Sequence, residues 1–91
     1  MKIKEGFVLR KLMDQYVVVA LSNEASELNY LIKLNSVGAF MWEALQKEDL
    51  SFEELVSKVC DEYDAPSEVI RKDVDAFINV LEGKNILKNG R

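Results

Sequence analysis

The side chains that carry most protein chemistry are nearly missing from this 91-residue chain. It has no histidine, which removes the commonest general base, proton shuttle and zinc ligand together. Its one cysteine, Cys60, has no histidine to activate it as a nucleophile, cannot form an internal disulfide and cannot make a zinc site alone. Cys60 follows Val59 and lies one helical turn from Val56, the spacing of a small, half-buried packing residue. Acidic residues crowd positions 48–68, where Lys58 is the only cation among Glu48, Asp49, Glu53, Glu54, Asp61, Glu62, Asp64 and Glu68. A run of that kind reads as a solvated helix face. These residue types point to no catalysis, no bound metal and no cofactor. One carboxylate has an unusual setting. On a helical projection Asp73 falls between Val80 and Phe77, inside an apolar arc. A carboxylate there must be hydrogen-bonded or open to a groove, because burying it bare is too costly. A cap on a neighbouring backbone is the expected role, with contact to a bound peptide as the alternative.

The elements that would position these residues follow from periodicity. Residues 7–13 read as a strand with Phe7, Val8, Leu9 and Leu12 as apolar members, and Asp14-Gln15 as a turn. Residues 16–21 are rich in β-branched side chains at consecutive positions, the pattern of a middle strand covered on both faces. A polar connection leads to a third strand over 28–34. There period two sets Leu28, Tyr30, Ile32 and Leu34 on one side and Asn29, Leu31 and Lys33 on the other. Asn35 is a good N-cap for a first helix with Val37, Phe40, Met41, Ala44 and Leu45 as its stripe. On that reading Gly38 marks the close passage of another backbone, and Trp42 covers the edge of the core. Ser51-Phe52-Glu53-Glu54 is a capping box that opens a second helix running to about Tyr63. Pro66 suits the first position of a third helix that ends near Glu82 to Lys84, with Gly83 or Asn85 in the left-handed cap position and Ile86-Leu87 folding back on the core.

The third helix carries more apolar surface than two neighbouring helices require. Val69, Ile70, Val74, Ala76, Phe77, Ile78, Val80 and Leu81 spread over about 200°, against about 100° for an ordinary surface helix. The chain therefore reads as one α+β domain over residues 1–91, a three-stranded antiparallel sheet followed by three helices. An outer strand beside a helix with surplus apolar arc leaves a groove that an extended peptide can enter as a fourth strand. No apolar run approaches a membrane span, and the charged opening residues show no secretory signal, so the expected compartment is the cytoplasm and no membrane partner is expected.

The ordered set of Phe7-Val8-Leu9-Arg10, Ile32-Lys33-Leu34-Asn35, Gly38-Ala39, Trp42, Leu55-Val56, Glu62-Tyr63-Asp64, Asp73-Val74, Phe77, Leu81 and Ile86-Leu87 resembles the small proteins typified by coenzyme PQQ synthesis protein D. These PqqD-like domains are also called RiPP recognition elements. The resemblance covers nearly the whole chain, departing from coenzyme PQQ synthesis protein D in the opening region and at Tyr30. It implies a winged helix-turn-helix fold and a peptide chaperone of natural product biosynthesis. Such a protein binds the leader segment of a ribosomally made precursor and presents it to a modifying enzyme, often a radical SAM enzyme. It implies that the leader adds to the third strand beside the third helix. The expected peptide-binding residues are Leu28, Asn29, Tyr30, Leu31, Ile32, Lys33 and Leu34, with Val69, Arg71, Lys72, Asp73 and Ala76 opposite, where Arg71 and Lys72 would receive acidic leader residues.

Two other readings share the topology. A winged-helix DNA-binding regulator would set the third helix in a major groove. That helix offers Arg71 and Lys72 against Glu68, Asp73, Asp75 and Glu82 in a chain of net charge −4, a poor match to phosphate, so no nucleic-acid partner is expected. A homodimer in which the free strand edge pairs with its own copy is the other.

Overall fold

The computed structural model describes residues 1–21 and 30–89, with the side chains of Tyr30 and Leu31 left out of the description. Three strands, β1 (Phe7–Leu12), β2 (Gln15–Ala20) and β3 (Tyr30–Leu34), precede three helices, α1 (Ser36–Lys47), α2 (Phe52–Glu62) and α3 (Ser67–Gly83). The sheet is antiparallel in the order β1-β2-β3. This is the α+β arrangement of a winged helix-turn-helix. β2 is the middle strand, and Val17, Val18 and Val19 are all buried, as its unbroken apolar run requires.

The hairpin turn is Met13-Asp14, one residue earlier than the sequence indicates. Met13 takes φ 56°, with Asp14 on the negative side, the φ pattern of the type II′ turn that matches strand twist. Glycine normally fills that first position, so methionine gave no turn signal. Residues 1–4, read from the sequence only as a charged opening and assigned to no element, also join the fold. Met1 and Ile3 are buried, Ile3 bridges to Leu87, and the Ile3 N–H donates to the Leu45 carbonyl (3.1 Å).

The first two helices start on side-chain caps written in the sequence, whereas α3 follows Pro66, which sits one residue before the helix and gives it no side-chain cap. The Gly38 N–H donates to Asn35 Oδ1 (2.7 Å), capping α1. The Glu54 N–H donates to Ser51 Oγ (3.1 Å) while the Ser51 N–H donates to Glu54 Oε1 (2.9 Å), closing the box on α2. α3 ends before Asn85 at φ 58°, and Ile86 and Leu87 return into the core. The core lies between the sheet and the helices, built on Val18, Trp42, Leu45, Leu55, Val74, Ile78, Leu81 and Ile86.

Two local expectations for α1 change. Trp42 is fully buried rather than at the edge. The buried residues of α1 are Gly38, Ala39, Met41, Trp42 and Leu45, while Phe40 and Ala44 are only half-buried on its flank. The stripe has turned toward Trp42 because the largest apolar side chain gains most from burial. The close neighbour of Gly38 is a side chain, not a backbone: a Cβ there would meet Leu34 Cβ and Cδ2 at 3.2 Å. Glycine lets the end of β3 press against the first turn of α1.

Candidate functional site

Among the described residues β3 has a partner strand on one side only, and the register shows which of its backbone groups face the other side. One step beyond the Phe7–Ala20 pair, the Leu21 N–H donates to the Gly6 carbonyl (2.7 Å). Hydrogen-bonded and non-bonded pairs alternate along an antiparallel ladder. Counting on, Val19, Val17 and Gln15 bond toward β1, so Val18 and Tyr16 turn their N–H and C=O groups toward β3. Their partners there are Ile32 and Leu34. Lys33, between them, therefore turns its own N–H and C=O away from the sheet. At the other edge of the sheet the Phe7 carbonyl is taken by Gln46 Nε2 of α1 (3.3 Å).

The register shifts between Val18 and Val19, since Val18 faces Ile32 and Val19 faces Tyr30. Leu31 is the extra residue of a bulge, which interrupts the strict alternation expected across 28–34 ahead of Ile32. Bulges bend and re-aim an edge strand. Ile32 and Leu34 are half-buried against the core, and Lys33 is exposed. Leu28 and Asn29 lie outside the described residues.

Beyond this edge lies a hollow of about 270 Å³. Lys33, Leu34 and Asn35 form one bank, Val37, Gly38 and Met41 of α1 form the floor, and Asp73, Ala76 and Phe77 of α3 form the other bank. On α3 the exposed residues Val69, Asp73, Ala76 and Val80 recur at four-, three- and four-residue steps and make one stripe along this side. Val69 is 48% and Val80 43% exposed, so the surplus apolar arc is real and has no cover among the described residues. The stripe runs for about 16 Å, the length of about five strand residues.

The candidate residues on α3 divide. Val69, Asp73 and Ala76 belong to the stripe. Lys72 is exposed on its outer flank. Arg71 points the other way: its guanidinium donates to both carboxylate oxygens of Glu53 on α2 (2.8 and 2.6 Å). That bond holds the Glu53 carboxyl below its usual range and raises Arg71 above its own. An (i, i+2) neighbour on a helix lies on another face, which is why Arg71 and Asp73 cannot serve one groove.

Asp73 does not cap a backbone. It is exposed, and among the described residues no donor reaches it within hydrogen-bond distance, so it is the open-groove case of the two that the sequence allowed. Val37, Met41, Phe77 and Val80 were not chosen as site residues from the sequence. All four were visible as apolar positions of α1 or α3, but only the packing angle between the helices assigns a residue to floor, bank or core. No group of three or more metal-ligating side chains is gathered among the described residues, and no helix there is long and apolar enough to cross a membrane.

Comparison with known proteins bears on this geometry. The family model of coenzyme PQQ synthesis protein D (PqqD) matches residues 15–87. The structure of TbiB1 in complex with the TbiA(beta) leader peptide is similar with a TM-score of 0.73 and 27% sequence identity, over 100% of this chain and 99% of that one. No curated protein matches the chain in sequence.

Proposed function

Because the chain belongs to the PqqD family, we propose that it is a non-catalytic adaptor of the cytoplasm. On this reading it takes the leader segment of a ribosomally made precursor peptide as a strand on β3 and presents it to a modifying enzyme, a radical SAM enzyme in the first instance. The observation that carries the proposal is an open strand edge, with the Lys33 backbone facing outward, beside the uncovered α3 stripe. A TbiB1 structure of the same fold holds a leader peptide, which supports the same use of this chain. Backbone pairing gives register, and alternate side chains enter the hollow.

The expected strength follows from the same parts. Each backbone bond contributes about 1 kcal/mol net, and each buried aliphatic side chain about 1.5–3 kcal/mol. Ordering a free peptide takes back several kcal/mol, about 2–5. The balance lies near micromolar affinity, about −8 kcal/mol. The test is to titrate the isotope-labelled protein with synthetic leader segments, taken from any short precursor peptide found encoded beside its gene. Saturable shifts concentrated in residues 30–34 and 69–80 are expected. No saturable binding, or shifts confined to the β1–β2 hairpin and α2, would refute the assignment.

A further inference from the structure

The hollow beside β3 holds a charge that the fold does not use. Asp73 lies on its α3 bank, within a stripe otherwise made of Val69, Ala76 and Val80. No lysine or arginine among the described residues comes within ion-pair distance of it. Of the two nearest candidates by position, neither makes an ion pair with it. Lys33 shares the hollow but stands on the opposite bank, and Lys72 lies on the outer flank of α3. Arg71, two residues away, is bound to Glu53. An exposed carboxylate on a helix surface is ordinary. One inside an apolar stripe that a peptide strand would cover is not, because covering it removes its water. A peptide with only apolar side chains on that side would bury Asp73 bare, and its binding would be penalised. A peptide that places a cation there would keep the charge paired in a site where water is largely excluded.

We propose that Asp73 sets the sequence preference of this groove, so that the strand it accepts carries a lysine or arginine facing α3. This rests on the peptide-binding reading above and names the class of peptide. The cation and the apolar side chain seated over Val37, Met41 and Phe77 both face the groove. Side chains of a strand alternate between its faces, so the two stand an even number of residues apart in the peptide, two being the shortest separation. Negative selection comes from the same charge: a glutamate or aspartate at that position meets Asp73 directly and is rejected.

The test works without the native precursor. A phage-displayed library of random twelve-residue peptides is selected against the wild-type protein, Asp73→Asn and Asp73→Lys, each first checked for an unchanged melting curve. Wild type should enrich peptides with a lysine or arginine two or four residues from an aliphatic or aromatic residue. Asp73→Asn should lose the basic preference, and Asp73→Lys should replace it with aspartate or glutamate. In fluorescence anisotropy, changing the lysine of an enriched peptide to glutamine should weaken binding to wild type by about three- to tenfold, the range of a partly covered ion pair, and leave binding to Asp73→Asn unchanged. Enriched peptides without a basic residue at even spacing, or one pattern from all three proteins, would overturn the proposal and leave the peptide-binding reading standing. Failure of the wild type to enrich any peptide that shifts residues 30–34 and 69–80 would overturn both. If Asp73→Lys does not fold, the comparison of wild type with Asp73→Asn alone decides.

Discussion

A proline scan across three consecutive residues of β3 reads directly which backbone groups are spare. Ile32 and Leu34 pair with Val18 and Tyr16, and the alternation fixed by the Leu21-to-Gly6 bond turns their N–H groups into the sheet. Proline at either position removes a ladder donor and leaves a carbonyl of β2 without its partner, which costs about 1–3 kcal/mol. Each substitution also trims an aliphatic side chain that is half-buried against the core. For a domain of this size 1 kcal/mol moves the melting temperature by about 4–8 °C, so Ile32→Pro and Leu34→Pro should melt about 8–20 °C lower. Lys33 is different. Its N–H faces away from β2 and its side chain is exposed, so Lys33→Pro removes no internal bond. Its melting temperature should stay within about 4 °C of wild type. Proline fixes φ in all three variants, so the difference between them reports the lost hydrogen bond together with the trimmed side chain, and Ile32→Ala and Leu34→Ala give the side-chain share alone. Circular dichroism melts measure it. A Lys33→Pro protein as unstable as Ile32→Pro would refute the assignment of the free edge. The same variant tests function. Against an enriched or native leader peptide it should lose about two- to tenfold in affinity relative to Lys33→Ala, one backbone bond's worth. Equal affinities would mean that the peptide does not pair at Lys33.

Three further outcomes follow. Asp73→Ala should leave the melting temperature unchanged to within about 2 °C, because an exposed carboxylate without a partner leaves nothing orphaned; a large loss in a thermal melt would show a hidden bond. Gly38→Ala removes a glycine from the first turn of α1, a gain of about 0.5–1 kcal/mol, but its Cβ would crowd Leu34 at 3.2 Å and the capping Asn35 Oδ1 at 3.3 Å. Overpacking of that kind costs about 1–3 kcal/mol, so the variant should be less stable in urea titration. Asp49 is held below its ordinary range mainly by its bond with the Met1 ammonium, Glu53 by Arg71, and Glu54 by the Ser51 N–H and hydroxyl. Each lowered folded-state value means stability that is present above the unfolded value, 3.8 for Asp49 and 4.5 for the two glutamates, and lost as pH falls through the folded one. The melting temperature should therefore drop as pH falls below about 4.5, and Glu54→Gln should flatten that drop.

How much of the fold was legible in the sequence depended on whether a feature was local. Asn35, Ser51 with Glu54, Pro66 and Asn85 act within one turn of backbone, and each marks its helix boundary in the structure. The order of strands and helices followed from period alone. Met1 and Ile3 alternate with Lys2 and Lys4, a strand-like signal too short to stand out, and their burial depends on Leu45, Leu50 and Ile86, far along the chain. The burial of Trp42 and the turn at Met13 were likewise decided by partners rather than by propensity. The bulge at Leu31 could not be read at all, because a register shift is a relation between two strands.

Asp73 shows the limit most clearly, and also what a sequence can do at that limit. Its neighbours on the helical projection required either a fixed partner or an open groove, and no pattern in one chain distinguishes the two. The difference lies in which face α3 turns to the core, which leaves the stripe from Val69 to Val80 without cover among the described residues while Ile70, Val74, Phe77, Ile78 and Leu81 are buried. Those two sets are adjacent on the same helix, and a rotation of α3 by one residue would have buried Asp73 instead. Nothing in the core depends on that carboxylate: Asp73 could be alanine, and the stripe would be a plain apolar strip. An apolar strip at an open strand edge invites pairing with any extended chain, including a second copy of this one. A charge in the strip rejects most of these without destabilising the folded protein, while leaving a route for a strand that brings the opposite charge. On this argument the carboxylate serves discrimination among peptides, and alanine at position 73 should broaden what the groove accepts rather than abolish binding.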